Sequence, residues 1–269
     1  MKKIPGLILA CIFFLSFSVV NAAAFSENQA KIFYIKGNPN IMKEGLPVWK
    51  ACKPGMQIDS GDRVKTEKGE EVEISFLTDR SNIVRIEEDT DAYIRKSRAP
   101  YRIELLNGAV MALIKKLPKG STFEIATPVG LSGARGTGWR SSTGGASADF
   151  KCYENAIYVR GFDQSGNMIE GALTVDSGWG TFLEKFEKPE RLGKLSEDDL
   201  AGWNKWKNEL EGRLKDMEHR LDRAGSLQNK INELESQKLD VKESRDTERA
   251  DQRQESKQDN GGYKYDGPN

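Results

Sequence analysis

Short apolar runs separated by turn residues fill the chain from about residue 30 to residue 186. The run EVEISFL, for example, places Val72, Ile74 and Phe76 on one face at a spacing of two, and the turn residues TDRS follow it. Such runs recur about every ten residues, which leaves no room for helices between them. The pattern therefore predicts a mainly β domain, which we place at residues 25–188.

Several further strands are predicted in the same way, each bounded by Gly, Pro, Asn or Asp. They are the segments KIFYIKG, NIVRIEE, YRIELLNG, AVMALIK, TFEIATP and NAIYVRGF. The pair Asn107-Gly108 is a turn signal, so YRIELLNG and AVMALIK are predicted to be two separate strands.

The pattern changes at Pro189. Ser196 precedes three acidic residues, an arrangement typical of a helix N-cap. Apolar residues then recur every three or four positions, close to the coiled-coil repeat; they are Trp203, Trp206, Leu210, Leu214, Met217, Leu221, Ala224, Leu227, Ile231 and Leu234. We predict a long C-terminal α-helix or coiled coil over residues 189–240, with a kink or break near Gly225. Residues 241–269 carry mixed charge and few apolar side chains, which predicts a disordered tail.

The N-terminus has the features of a secretory signal. Two lysines precede an apolar run from Ile4 to Val20, and small residues suited to cleavage follow. We assign residues 1–24 as a signal peptide and expect a periplasmic or secreted protein without a stable transmembrane span after cleavage. Leu9 stands where a lipoprotein signal needs a small residue, which argues against a lipid anchor at Cys11.

The charge balance narrows the range of partners. The chain has 41 basic and 41 acidic residues, and loss of the two lysines of the signal peptide leaves 39 against 41. The sequence has no block of basic residues, so we expect no positively charged surface that would bind nucleic acid or an anionic membrane. The expected partner is a protein or another component of the cell envelope.

The segment GLSGARGTGW, residues 130–139, has glycines at positions 130, 133, 136 and 138. A phosphate-binding loop needs Lys and then Ser or Thr after its last glycine, whereas Gly138 is followed by Trp139 and Arg140. The third glycine and the helix of a dinucleotide fingerprint are also missing. The cluster instead predicts a strand-turn-strand corner, with Arg135 free to pair with a carboxylate or a carbonyl, and no cofactor is expected.

Catalytic residue patterns are scarce. The one histidine, His219, falls on the predicted helix, so the β domain has no catalytic triad or histidine metal site. A pair of carboxylates could still hydrolyse a glycan; the candidates are Asp149, Glu154, Asp163 and Asp176. The acidic residues 87–91 lack the spacing of a calcium loop. We assign no catalytic, cofactor-binding or metal-ligating residue.

Two cysteines, Cys52 and Cys152, remain after signal cleavage. An oxidising compartment would allow them to form a disulfide. The alternative is a pair of half-buried thiols that pack as small apolar residues.

Four segments of the chain resemble the FecR domain in order and spacing: GMQIDSGDRVKTEKGEEVEISFLTDRSNIVRIEEDT, IELLNGAVMAL, STFEIATPVGLSGARGTGW and LTVDSGWGTFL. The family shows Gly-Asp before a strand and a threonine, an aspartate-containing turn, and Thr-Pro followed by Arg-Gly-Thr. The matching positions are Gly61, Asp62, Thr66, Asp79, Thr127, Pro128, Arg135, Gly136 and Thr137. Arg80 departs from the family, which usually has glycine there.

The resemblance implies a periplasmic domain with a short-stranded, β-solenoid-like or sandwich-like fold, in which Arg-Gly-Thr is a structural corner. FecR-like regulators carry a cytoplasmic anti-sigma segment and a transmembrane helix before this domain, and they sense an outer-membrane receptor with it. Because the N-terminus here is predicted to be a signal peptide, a free-standing FecR-domain protein is the better description.

Three hypotheses for function follow. The first is a non-enzymatic binding or scaffold module of the envelope, with homo-oligomerisation through the coiled coil left open. The second is a signal-sensing component related to FecR-type regulators. The third is an enzyme that acts on polysaccharide through a carboxylate pair.

Overall fold

A computed structural model describes residues 30–76, 81–96, 101–190 and 192–259. The predicted signal peptide lies outside the described residues. The chain divides into two compact units, with the boundary between Leu200 and Ala201. The described part of the first unit is a β domain followed by the first residues of a long helix, and the described part of the second is the rest of that helix.

Seventeen strands are present in the described part of the first unit. They are β1 (Ala30–Lys36), β2 (Asn40–Met42), β3 (Trp49–Ala51), β4 (Gln57–Ile58), β5 (Arg63–Lys65), β6 (Glu71–Phe76), β7 (Asn82–Ile86), β8 (Asp91–Lys96), β9 (Tyr101–Ile114), β10 (Phe123–Ala126), β11 (Gly130–Ala134), β12 (Thr137–Thr143), β13 (Ser147–Glu154), β14 (Ala156–Gly161), β15 (Leu173–Asp176), β16 (Trp179–Glu184) and β17 (Gly193–Lys194). The mainly β fold predicted from the sequence is confirmed, and the domain extends past residue 188 through β17.

The strands form two sheets. Hydrogen-bonded pairing gives the order β4-β1-β6-β7-β9-β12-β13-β16-β17 for the first sheet. The order in the second sheet is β3-β2-β5-β8-β9-β10-β11-β14-β15. All pairs are antiparallel except β9 with β10. The chain therefore passes repeatedly from one sheet to the other. Short strands are sufficient to form the domain because each needs to cross only one layer.

Strand β9 belongs to both sheets. Residues 101–107 pair with β8 in the second sheet, and residues 108–114 pair with β12 in the first. The prediction of two strands split by a turn at Asn107-Gly108 is therefore wrong. Gly108 has a φ of +92°, and a Cβ there would overlap the backbone and side chain of Thr90. The glycine lets one continuous strand change layers instead of ending it.

One hydrophobic cluster joins the inner faces of the two sheets. Phe76 and Phe123 pack edge to face with ring centroids 5.1 Å apart, and Trp139 packs on Phe123 at 6.1 Å. The indole N–H of Trp139 donates to Ser132 Oγ at 3.0 Å, and Ser132 Oγ lies 2.8 Å from Ser141 Oγ. These buried hydroxyls link β11 of the second sheet to β12 of the first, so the polar atoms of Trp139, Ser132 and Ser141 have partners in the core.

The C-terminal helix α1 comprises Glu197–Asp259. Ser196 is its N-cap, as predicted: the Asp199 backbone N–H donates to Ser196 Oγ at 3.1 Å, and the Ser196 hydroxyl donates to the Asp199 carboxylate at 2.8 Å. Burial acts to raise the pKa of Asp199, but hydrogen bonds from Lys151 and Ser196 lower it below its ordinary value. The negative charge is thereby kept at the positive end of the helix dipole.

The helix differs from the sequence prediction in two respects. It continues without a break through Gly225, and apolar residues keep a strict spacing of seven along it, at Leu210, Met217, Ala224 and Ile231. It also extends to Asp259, past the predicted start of a disordered tail at residue 241. Repeated i, i+4 hydrogen bonds such as Thr247 Oγ1 to the Glu243 carbonyl accompany the helical backbone there. Residues 260–269 lie outside the described residues.

Candidate functional site

The glycine cluster is divided between two strands and the turn that joins them. Gly130 and Gly133 lie in β11, Gly136 in the turn, and Gly138 in β12. Gly136 has a φ of +100°, a conformation that side-chain-bearing residues rarely adopt. A strand, not a helix, follows the cluster. The backbone N–H groups therefore lack the helix N-terminus on which a phosphate loop depends.

The Arg-Gly-Thr residues of this turn form a corner tied to the next hairpin. The Gly136 carbonyl accepts a hydrogen bond from Asn155 Nδ2 at 2.8 Å, and the Thr137 hydroxyl donates to the Glu154 carbonyl. Arg135 is exposed, and within the described part of the chain no carboxylate or carbonyl pairs with its side chain. Gly136 and Thr137 are thus bound to the neighbouring hairpin, whereas the cationic side chain of Arg135 faces outward.

The Gly-Asp pair of the family motif also serves the fold. Gly61 has a φ of +92°, and Asp62 behind it is buried. The Asp62 carboxylate accepts hydrogen bonds from Lys43 Nζ at 2.5 Å and from the backbone N–H of Asp59 at 2.8 Å and of Glu44 at 3.2 Å. Partial burial acts to lower the pKa of Lys43, but hydrogen bonds to Asp62 and Asp59 raise it. Asp62 is therefore the anchor of the β2–β3 loop.

The other two motif threonines, Thr66 and Thr127, also close turns through their hydroxyl groups. The Thr66 hydroxyl donates to the Glu87 carbonyl at 2.5 Å and accepts from the Thr90 backbone N–H at 3.0 Å. The Thr127 hydroxyl donates to the Gly130 carbonyl at 2.8 Å, around the turn that contains Pro128. Asp79 and Arg80 lie outside the described residues. Of the described motif side chains, those of Asp62, Thr66, Thr127 and Thr137 are buried in the domain, whereas Pro128 and Arg135 are exposed.

Of the two alternatives for Cys52 and Cys152, the disulfide is not formed. Both cysteines are buried free thiols. Burial, aided by the charge of Glu70, raises the pKa of Cys52 to about 12. Burial likewise raises the pKa of Cys152 to about 11, against hydrogen bonds that act to lower it. The alternative prediction, that the thiols pack as small apolar groups, describes them correctly.

We expect native protein at pH 8 to react with iodoacetamide about 100-fold more slowly than the unfolded chain, because the thiolate is the reactive form and burial suppresses it. Alkylation followed by intact-mass measurement tests this result. Two modifications should appear in denaturant without reductant when the protein used lacks residues 1–24 and therefore Cys11. Rapid labelling of the native protein would contradict this prediction. So would an unfolded chain that takes up no label and has a mass 2 Da below that of the reduced chain.

The remaining candidates for catalysis are scattered. His219 is exposed on α1. Asp163 accepts backbone hydrogen bonds from Asn167 and Ser165 in a turn, which lower its pKa, the opposite of what a general acid needs. Asp149 lies 3.4 Å from Lys151 Nζ in an ion pair. Among the described residues, no group of three or more His, Cys, Asp or Glu side chains is arranged to hold a metal.

The outer face of the second sheet carries an unusual stack of side chains, which we call the ladder: Trp49, Arg63, Tyr93 and Arg95. The Arg63 guanidinium carbon lies 5.7 Å from the Trp49 ring centroid and 5.1 Å from that of Tyr93, and Arg95 lies 4.9 Å from Tyr93. Asp91 accepts two hydrogen bonds from Arg63, at 2.7 and 2.5 Å. Alternating guanidinium and aromatic planes make the ladder rigid and amphipathic.

A second row of polar contacts continues across this face. The Glu124 carboxylate accepts from Arg102 Nη2 at 2.6 Å and from the Tyr158 hydroxyl at 2.8 Å. Burial, followed by the contact with Glu124, raises the pKa of Tyr158 to about 12. A Cβ at Gly133 would overlap the Tyr158 ring. Glycine at this position therefore lets the tyrosine lie flat on the sheet and reach Glu124.

One arginine on this face lacks a carboxylate. Arg160 lies next to core residue Val159 in β14, so it faces outward, and its buried Nε has no hydrogen-bond partner among the described residues. The other arginines are paired, as Arg63–Asp91, Arg95–Glu104 and Arg102–Glu124. Seven strand spacings separate β3 from β14, so the face spans roughly 30 Å. That width fits a protein-sized contact area.

At the β3 edge of this face, the loop between β2 and β3 exposes apolar side chains. We call residues 43–49 the finger. Leu46 is 56% exposed, Val48 58%, and Trp49, which is also the first ladder residue, is exposed as well. Backbone hydrogen bonds from Leu46 to Lys43 (3.1 Å) and from Val48 to Leu46 (2.7 Å) fix the loop, and Asp62 holds Lys43. Solvent-facing apolar side chains on a fixed loop are typical of a contact site.

The finger and the ladder were not predicted from the sequence. Their residues lie in three strands separated by up to about 40 positions, and only the pairing β3-β2-β5-β8 brings them together. A partial signal was present in β8, where Asp91, Tyr93 and Arg95 alternate with core residues Ala92 and Ile94.

Residues 62–158 match the family model described as FecR protein, which confirms the resemblance over that span. Two crystal structures of a "putative anti-sigma factor" from Parabacteroides distasonis ATCC 8503 are similar to the chain. Each has a TM-score of 0.42 and 11% sequence identity, and the match covers 52% of this chain and 63% of that one. No curated protein matches the chain in sequence. Within the described residues, α1 lacks an apolar stretch long enough to cross a bilayer.

Proposed function

We propose that the protein is a non-enzymatic, exported FecR-domain module that binds a protein partner of the cell envelope through the finger and the ladder. The observation that carries this proposal is the fixed apolar loop Leu46–Trp49 at the edge of the arginine–aromatic face. The motif residues shared with FecR stabilise the domain behind this surface. The binding chemistry is therefore contributed by residues outside the family motif.

The composition of the surface favours a protein over a sugar. The Arg63 guanidinium lies over the rings of both Trp49 and Tyr93, and Arg95 also lies over Tyr93, so part of each ring is already in contact with a cation and less of it is open for stacking on a pyranose. Arginine and aromatic residues are enriched in the central contacts of protein interfaces.

We expect Leu46→Asp combined with Val48→Asp to weaken partner retention by tenfold or more without a change in melting temperature, because the two side chains contact solvent and not the core. Partner retention is measured by pull-down from envelopes with the wild-type protein and with the double variant, and photo-crosslinking from position 46 of an otherwise unchanged chain identifies the partner. Met168→Asp is the matched control, since Met168 is 52% exposed in another loop. Equal adducts from positions 46 and 168, or none from position 46, would contradict the proposal.

A signal-sensing role is the second candidate, and the family-model match over residues 62–158 favours it. The same crosslinking experiment separates the two roles. An adduct with an outer-membrane receptor, together with a change in transcription when Leu46 and Val48 are replaced, would indicate signalling. An adduct whose loss changes envelope integrity alone would indicate a scaffold. Turnover of peptidoglycan that is lost on substitution of an Asp or Glu would overturn the non-enzymatic assignment.

A further inference from the structure

The helix α1 carries a continuous heptad pattern. Positions a, seven residues apart, are occupied by Leu210, Met217, Ala224, Ile231 and Lys238, and the later positions d by Leu227, Leu234 and Val241. Because the repeat is strictly seven, these side chains lie along one seam that drifts slowly around the helix. The seam is therefore suited to another helix that winds around it.

The C-terminal half of this seam faces water. Leu227, Ile231, Leu234 and Val241 are all about half exposed or more. Residues 224–241 span about 27 Å of helix at 1.5 Å per residue. Apolar side chains arranged at a and d over such a length need a covering helix to leave water.

The residue types specify what covers them. Ile at a with Leu at d favours a parallel two-stranded coiled coil, and a lysine at a single a position, here Lys238, fixes register and limits the number of strands. We propose that residues 224–241 pair with the same segment of a second copy as a parallel, in-register, two-stranded coiled coil. This inference does not depend on the finger or the ladder.

The flanking charges agree with that arrangement. In a parallel pair, Lys230 at g of each helix faces Glu235 at e of the other, which gives two ion pairs by symmetry. In an antiparallel pair over the same residues, Lys230 would face Gln237, and Glu235 would face Gln228. Arg213 and Arg220 occupy the d positions upstream, where a symmetric partner would bring like charges together, so we begin the coil at Ala224.

Light scattering on the purified protein across a concentration series tests the assembly. We expect a dimer that dissociates on dilution, and Leu234→Glu should raise the dissociation constant at least 100-fold. Ser236→Glu, at the outward f position beside it, is the control and should leave the dissociation constant within about twofold. A monomer at every accessible concentration, or equal effects of the two variants, would overturn the proposal.

Two further variants test orientation. Lys230→Glu should weaken the dimer about fivefold, and the addition of Glu235→Lys should restore it, because the two pairs are then reversed. Ala224→Cys should form an interchain disulfide by itself, since equivalent residues meet across a parallel seam. A disulfide that requires Ala224→Cys together with Val241→Cys would show an antiparallel pair and overturn the proposed geometry.

Discussion

Replacement of Asp62 by alanine should lower the free energy of unfolding of the β domain by about 3 kcal/mol, as measured by urea unfolding. Its carboxylate is 1% exposed and accepts hydrogen bonds from Lys43 Nζ and from the backbone N–H groups of Asp59 and Glu44. Removal of the acceptor leaves these donors unsatisfied near the interior, and each costs roughly 1 kcal/mol or more. A partly buried ammonium without its principal partner adds to the loss.

Asp59→Ala is the matched control for this prediction. Asp59 also accepts from Lys43 Nζ, at 2.9 Å, but its side chain is 55% exposed, so water replaces the contact. An exposed ion pair contributes at most about 1 kcal/mol. Each variant therefore removes one carboxylate that binds Lys43. The carboxylate of Asp62 is buried, and that of Asp59 is exposed. Equal losses of stability in the two variants would show that burial of Asp62 is not the source of its effect.

The Asp62 network also connects the fold to the proposed binding surface. Lys43 begins the finger, and its amino group is held by Asp62 behind the loop. Loss of Asp62 should therefore release the loop that presents Leu46 and Val48, even under conditions in which the domain remains folded. The family motif and the binding surface are thus coupled through one lysine, although the motif residue itself is buried.

The strands with clear alternation were predictable from local sequence. EVEISFL and NIVRIEE correspond to β6 and β7, because the side chains on one face of each are buried in a single core. The two- and three-residue strands β3, β4 and β17 carry too few side chains to show a period. Strand β9 was divided wrongly because a glycine with positive φ usually ends a strand, whereas here it turns the strand from one sheet into the other.

The candidate site was less predictable than the fold for a physical reason. Trp49, Arg63 and Tyr93 come together only through strand pairing in the second sheet. The local sequence of a strand does not indicate which other strands will pair with it. The heptad seam of α1 is a contrasting case. Its residues are related by helical geometry alone, so the apolar stripe could be recognised from local sequence.

The corner at Gly136 provides a test of how much backbone conformation contributes to this fold. Gly136→Val should lower the free energy of unfolding by about 2 kcal/mol or more, because a β-branched residue is strained at a φ of +100°. Crowding is not the cause. A Cβ at this position would lie 3.9 Å from the nearest atom, the Lys115 carbonyl oxygen, which is ordinary contact distance.

The control is Gly144→Val in the turn between β12 and β13. Gly144 has no positive φ and open space where a Cβ would stand, so valine there should change stability by less than about 0.5 kcal/mol. Both substitutions add the same side chain to a turn that flanks β12, and only the backbone conformation differs. Urea unfolding that gave the two variants equal stability would show that the corner does not require glycine. A loss of stability for Gly136→Val alone would instead show that the Arg-Gly-Thr motif needs glycine for its backbone conformation. The side chain of Arg135, the residue before it, is exposed and takes no part in that requirement.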